Sequence, residues 1–419
     1  MVMRTRRALL PAALLAGLLL ACGPLAAQLV LGQYEDEAPL GTWNVLGSPS
    51  APSIGLGVVF ARLSDASISF SNPALLASLP RVSACLSASY AAATLNRFSL
   101  VNTGVVSTSG NPGVGVIAID HGAVALRTGE WAFALGVAAP ESCARPAIVA
   151  DSGGSSPSYE LRFDQTGTFR IFHGAVSCRL FRGWSVGLGL NLATGDITRT
   201  TVERTESQAR TVIITDEKTE SLRGLFLNGG IAWEASERLT ASLVFRSSYT
   251  KRGDGVSLYR YEVPEAGTDI RIDGEGAVEY RQPWVIGAGC DYKLSQTWSF
   301  AAELAWFGWS SYRVTFFDEP MARPFRDVVR AGGGVEYLAA APMFGGSARI
   351  PLRLGVSYDP QPMSEPRSAY LALTLGTGLR WRALAIDVGG WLGRESGSGD
   401  ALRSGKIVLS VRTILDERP

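Results

Sequence analysis

Residues 283–312 read PWVIGAGCDYKLSQTWSFAAELAWFGWSSY. Successive side chains of an extended strand point to opposite faces, so the stretch is read two residues at a time. Phe300, Ala302, Leu304, Trp306, Gly308, Ser310 and Tyr312 fall on one side. Ser299, Ala301, Glu303, Ala305, Phe307, Trp309 and Ser311 fall on the other. Upstream, Trp284, Ile286, Ala288, Cys290 and Tyr292 alternate with Val285, Gly287, Gly289 and Asp291, and Lys293-Leu294-Ser295-Gln296 makes the turn. One face of this hairpin is apolar and aromatic. The other is small, with an occasional carboxylate (Asp291, Glu303), where a water-soluble sandwich would carry many lysines and glutamates. That pattern places lipid outside and a crowded lumen inside a closed barrel.

The same alternation recurs along the chain. Leu239, Ala241, Leu243, Phe245 and Tyr249 oppose Thr240, Ser242, Arg246, Ser248 and Thr250, and Leu352, Leu354, Val356 and Tyr358 oppose Arg353, Gly355, Ser357 and Asp359. Arg at mid-depth on the lipid side would cost about 2–4 kcal/mol, and little on the lumen side. The expected strands are 82–101, 113–126, 130–139, 163–181, 184–200, 221–234, 238–251, 273–293, 296–315, 326–339, 348–359, 368–382, 383–395 and 405–415. This makes an all-β, transmembrane antiparallel β-barrel of about 14 strands. Tight turns are expected at 181–183, 234–238, 293–297 and near Arg382, and long polar links at 141–162, 201–220, 252–273 and 316–325. Short turns on one rim and long connections on the other are the habit of outer-membrane barrels.

Composition agrees. The chain is 46% hydrophobic, only 18% charged, and holds 47 glycines. Past the N-terminus no run of about 18 apolar residues occurs, which excludes helical spans. Residues 1–27 read as a secretory signal: Arg4, Arg6 and Arg7, an apolar stretch over 8–20, and Leu25-Ala26-Ala27 before Gln28. Lipid attachment at Cys22 is the rival reading. Removing three arginines and no acids takes the net charge of +1 to slightly negative, so no basic field points to nucleic acid. Cys85, Cys143, Cys178 and Cys290 have no metal-like spacing, and a disulfide stays open in an oxidising compartment.

Residues 28–80 differ from the strand-rich remainder of the chain. They hold Pro39, Pro49, Pro52, an acidic Glu35-Asp36-Glu37 and no long alternating strand, and Asn72-Pro73 initiates a turn into a short helix that Pro80 ends. Ile54, Leu56, Val58, Val59, Phe60, Leu75, Leu76 and Leu79 need burial, which favours a plug folded inside the barrel over a loose extension. The domains are therefore a signal (1–27), a hatch or plug (28–80) and an outer-membrane β-barrel (81–419).

At these residues the sequence resembles the FadL/TodX family of outer-membrane transporters for long-chain fatty acids and other hydrophobic compounds. Asn72-Pro73-Ala74 resembles the family's hatch motif. WAFALGVAAP at 131–140, the stretch 283–312, and LRLGVSYDPQPM at 352–363 resemble three of its strand segments in the right order. The resemblance implies a 14-stranded barrel, plugged from within, that captures its ligand at the outer rim and releases it sideways into the bilayer. The family also has relatives in secretion systems, so a structural or scaffold barrel is the alternative. The stretch 410–419 lacks the aromatic that many such barrels carry, so either Ile414 or Leu415 serves assembly or the host lineage differs.

His121 and His173, the only histidines, sit in no metal-like cluster. The glycine runs lie within strands rather than at strand-to-helix turns, and no G-x-S-x-G elbow occurs. Neither an enzyme, a cofactor nor a metal is expected. The expected partners are a fatty acid or hydrocarbon and outer-membrane lipid, with a monomeric barrel and no nucleic acid. Arg246 and Arg353 are the candidate headgroup ligands, unless each pairs with an acid such as Glu303 or Asp359. Glycines within 104–115 and 122–136 mark the weakest wall near the plug.

Overall fold

The computed structural model describes residues 50–62, 65–94, 114–143, 145–151, 158–321, 325–343, 346–364, 367–397 and 403–415. The expected signal, the start of the expected plug and the segment 95–113 lie outside the described residues. So do the side chains of Ile414 and Leu415.

Fourteen antiparallel strands form one closed barrel. They are β1 (Val82–Thr94), β2 (Val114–Thr128), β3 (Trp131–Ser142 with Arg145–Asp151), β4 (Ser158–Arg179), β5 (Trp184–Glu206), β6 (Thr211–Glu234), β7 (Leu239–Arg246 with Tyr249–Val263), β8 (Thr268–Gln282 with Val285–Lys293), β9 (Trp298–Phe307 with Arg313–Phe316), β10 (Val328–Met343), β11 (Gly346–Pro360), β12 (Ala369–Trp381), β13 (Leu384–Ser396) and β14 (Arg403–Leu415). Closure runs from Val82↔Leu415 to Thr94↔Arg403, so the first and last strands leave no edge between them. The short-turn rim is as expected. Between β4 and β5, Arg182 and Gly183 both take positive φ, 49° and 80°, the geometry that matches a hairpin to the strands' twist.

The register follows the alternation. Leu243, Phe245, Phe300, Leu304 and Trp306 face outward, Leu304 with 56% of its surface exposed, while Arg246, Glu303 and Arg353 are buried inside. Trp184 stacks on Trp233 at 5.3 Å and Trp298 packs on Tyr337 at 4.9 Å along the short-turn rim, forming part of an interfacial aromatic girdle.

Three departures from strict alternation have physical causes. Strand β9 stops at Phe307, and a 3-10 turn at Trp309–Ser311 follows Gly308. Tyr312, expected outside, therefore joins Trp309 inside, and both are buried. The breaks in β7 and β8 fall opposite each other, with Arg246↔Val285 on one side and Tyr249↔Gln282 on the other. Pro283 cannot donate to the ladder, and across the break Tyr249, expected outside, turns inward. The third departure concerns the long rim. The expected polar links 201–220 and 252–273 are mostly strand, since β5–β6 pair as far as Glu206↔Thr211 and β7–β8 as far as Val263↔Thr268. The β5–β6 extension is rich in threonine and charge, and the β7–β8 extension mixes charge with exposed Val256, Tyr259, Ile270 and Ile272.

Residues 50–80 run inside the wall. A short helix α1 (Ala51–Gly55) is wholly buried, α2 (Ile68–Ser71) follows, and a 3-10 helix occupies Pro73–Ser78, where the sequence places its short helix. Lumen-facing glycines let this segment approach. A Cβ at Gly332 would run into the Gly57 carbonyl, and one at Gly187 into the Pro73–Ala74 peptide. Several lumen-facing glycines therefore leave room for an inner backbone.

Candidate substrate channel

The inner segment is fastened chiefly through its backbone. Glu303, on β9, accepts the N–H groups of Val59 (2.9 Å), Phe60 (3.0 Å) and Ala61 (3.2 Å). Successive amides turned toward one point make an anion nest, and a carboxylate of the wall fills it. The Arg330 guanidinium, itself buried, donates to the same carboxylate at 2.7 Å. Toward the short-turn rim, Arg62 leaves the inner segment to meet Glu336 at 2.6 Å. Glu336 also pairs with Arg353 and Arg380, and Asp387 joins Arg353 to Arg412. On the β10–β14 side the short-turn half of the lumen thus holds an ionic network, while Ile68, Leu75, Leu76 and Leu79 of the inner segment pack on alanines of β2, β3, β4 and β6 across from it.

The other half is apolar. Phe169, Leu222, Val278, Phe307, Trp309, Tyr312 and Phe325 converge from the wall on Val59 and Phe60 of the inner segment. Four polar groups stand among them. Arg199 ion-pairs with Glu220, which accepts from Tyr280 Oη at 2.6 Å, and the Lys251 ammonium lies 3.9 Å from the Phe169 ring centre. Of these residues only Glu220 falls in an expected link; Arg199, Lys251 and Tyr280 lie within the expected strands 184–200, 238–251 and 273–293, in stretches to which the alternation was not carried. Extending the period-2 count through Ile197 and Arg199 would have placed both inside.

Asn72, Pro73 and Ala74 are buried at the wall formed by β4, β5 and β6. The Asn72 amide donates to the Phe60 carbonyl at 3.1 Å, folding the inner segment back on itself. The Ala74 carbonyl accepts from Ser177 (3.1 Å) and Ser185 (3.0 Å). Pro73 sets the turn, and the small Ala74 lets its backbone reach these hydroxyls. Arg246 and Arg353 are not brought together. Arg353 is clamped by Glu336 (2.7 Å) and Asp387 (2.8 Å), rather than by Glu303 or Asp359. Arg246 donates to the Pro283 carbonyl at 3.3 Å and lies 5.7 Å from the ring centres of both Phe226 and Tyr249.

Among the described residues the wall has one incomplete seam. The β2–β3 ladder runs from Thr128↔Trp131 to His121↔Ala138 and stops. Beyond it, residues 114–119 pair only with β1, and β3 from Glu141 onward pairs only with β4. Both strands are irregular there. A bulge in β2 turns the consecutive Asp120 and His121 inward together, as an extra residue does. A second bulge in β3 falls between Ala138 and Glu141, where Pro140 lacks an N–H. Next to the seam's end, His121 and His173 meet edge-to-face at 5.2 Å, and His173 Nε2 lies 2.9 Å from Ser69 Oγ of the inner segment. Ile117 and Ile119 are 83% and 68% exposed beside the gap, where β1 alone flanks them. The seam ends beside the expected weak region 122–136. Its other half, 104–115, lies almost wholly outside the described residues. Among the described residues no group of three or more His, Cys, Asp or Glu could hold a metal, and Cys85, Cys143, Cys178 and Cys290 form no disulfide.

A family described as "Outer membrane protein transport protein (OMPP1/FadL/TodX)" matches residues 53–389. Among solved structures, a Pseudomonas aeruginosa FadL homologue is 14% identical, covers 87% of this chain and 98% of its own, and superposes with a TM-score of 0.58. The Ralstonia pickettii toluene transporter TbuX is also 14% identical, with coverages of 88% and 99% and a TM-score of 0.60. The Pseudomonas putida toluene transporter TodX is 10% identical, with coverages of 89% and 100% and a TM-score of 0.59. Such likeness speaks for the fold alone. A comparison with curated protein sequences finds no match.

Proposed function

Because this chain belongs to the OMPP1/FadL/TodX family of outer membrane transport proteins, we propose that it is a passive uptake channel for a hydrophobic small molecule, a fatty acid or hydrocarbon, gated by the inner segment 50–80 acting as a plug. The protein is a β-barrel of the bacterial outer membrane, and its family is one of hydrophobic-compound transporters rather than enzymes. In our reading a single barrel, set directly in lipid, is the working unit.

The observation that carries the proposal is the incomplete β2–β3 seam beside the plug. A hydrophobic ligand entering from the long-connection rim meets the apolar half of the lumen first. Going straight on would take it through the ionic network of Arg62, Glu336, Arg353 and Asp387, where an alkyl or aryl group would cost those charges their partners. Going sideways takes it past Phe70 and the two histidines to the gap beside Ile117 and Ile119, and then into lipid. A channel built this way delivers its cargo to the membrane rather than to water.

A tether tests the gate. A Cβ at Gly230 would stand 3.3 Å from that of Ala74, close to disulfide spacing, with the Asn72 amide moving aside. Cells carrying Ala74→Cys with Gly230→Cys are expected to lose uptake of labelled fatty acid and of labelled toluene, and to regain it with reductant. Undiminished uptake by the oxidised, tethered protein would remove the gate from the proposal. No uptake by wild type across several hydrophobic ligands would favour a scaffold barrel, for which the long β5–β6 and β7–β8 hairpins supply a docking surface.

Of the two candidate arginines, Arg246 is the one that fits a headgroup role, since it faces aromatic rings and Arg353 is held by two carboxylates. Arg246→Ala is expected to lower uptake of a fatty acid roughly tenfold or more, the worth of a charged hydrogen bond, while leaving uptake of an uncharged hydrocarbon within about twofold. Equal losses for both ligands would assign Arg246 to the wall.

A further inference from the structure

Outside the barrel, arginines stand in register along one arc of the wall. Arg170 on β4 pairs across to Thr194, Thr194 to Arg223 on β6, Arg223 to Arg252 on β7, and Arg252 to Glu279 on β8. Two residues toward the short-turn rim, Arg281 on β8 faces Arg313 on β9. In a tilted sheet, such a step along the strand holds the row near one depth. All five arginines are exposed, and the residues on either side of each in sequence are turned to the lumen or lie closer to it. Immediately below the row on the same face lie Phe172, Leu192 and Leu225, each at least 45% exposed. Asp196 and Asp254 come one step above. Glu279 is the one acid in the row, and it sits 3.7 Å from Arg252.

The row therefore occupies the upper edge of the lipid-facing band, on the side of the long connections. Planar guanidinium groups in that position match phosphate, which they bind bidentately. The carboxylates one step further out would repel phosphate and confine it to the arginines. We propose that this arc binds the phosphate groups of the outer leaflet's phosphorylated glycolipid, whose acyl chains lie along the band beneath. The interaction surface is independent of what passes through the lumen.

The test uses the full-length folded barrel in detergent and native mass spectrometry with bis-phosphorylated lipid A. Wild type is expected to retain the lipid. The triple variant Arg170→Gln/Arg223→Gln/Arg252→Gln is expected to bind it more weakly by on the order of a hundredfold, from about 1 kcal/mol per arginine at a membrane surface. A triple Arg→Lys variant, keeping charge but not bidentate geometry, is expected to fall between the two and serves if the glutamine variant fails to fold. Lipid A stripped of both phosphates is expected to bind wild type no better than lipid A binds the glutamine variant. Equal binding of the phosphate-free lipid, equal binding by the variants, or displacement of lipid A by an equal concentration of inorganic phosphate would each overturn the proposal.

Discussion

Replacing Glu303 with alanine is expected to free the inner segment and leave the barrel standing. The carboxylate serves three consecutive backbone N–H groups and the buried Arg330 at once. Its loss strands a buried cation, a change that costs about 3–5 kcal/mol, and each amide left without an acceptor adds about 1–3 kcal/mol before water enters. Because the four groups share one acceptor the costs do not add, and about 3–5 kcal/mol of local destabilisation is the expected sum. Limited proteolysis of the variant in proteoliposomes should cut within 50–80, and the cells should admit large antibiotics that wild type excludes. The double variant Glu303→Leu/Arg330→Met separates the two contributions. It removes the stranded cation but not the stranded amides, so part of the proteolytic sensitivity should persist. Wild-type protection in both variants would show that the nest does not hold the segment.

Arg353→Leu is expected to act on the wall instead. The guanidinium is fully buried between Glu336 and Asp387, and its removal leaves two buried carboxylates sharing Arg62, Arg380 and Arg412. Losing one member of such a group costs about 3–5 kcal/mol, so the urea midpoint of the folded barrel should fall clearly below that of wild type. Uptake per folded molecule should stay near wild type for charged and uncharged ligands alike. A barrel of unchanged stability that had lost fatty-acid uptake would restore Arg353 to a headgroup role.

How far the sequence could be read depended on the range of the interaction. Alternation over 298–307 is a local property, and it placed Glu303 inside and Leu304 outside without reference to any other strand. The pattern failed where one residue changed the count. Gly308 ends a strand, Pro283 breaks a ladder, and the bulge in β2 sends both Asp120 and His121 inward. The candidate site was less legible. Glu303 could be assigned to the lumen, but its partners are main-chain amides some 240 positions away, and an amide has no residue type to recognise. The two histidines came together through register across β2, β3 and β4, which composition does not disclose. Asn72-Pro73-Ala74 was legible as a turn, whereas the glycines and serines that receive it were visible only as small strand residues.

The closing ladder between β1 and β14 has a consequence for how the molecule is made. The first and last strands of the barrel are neighbours, and the Ala51 amide donates to Ser410 of β14, whose hydroxyl also lies 2.8 Å from that of Ser87 on β1. The inner segment precedes the wall in the chain, yet Ala51 at its start is fastened to β14, which follows every other strand of the barrel. It must therefore wait, loosely held, while the wall is laid around it, and become enclosed only when β14 docks. Long-range pairing of this kind makes for slow folding. A pulse-chase experiment following protease resistance of the segment should find it gained together with barrel closure, as one late event, and a chain truncated before β14 should never acquire it.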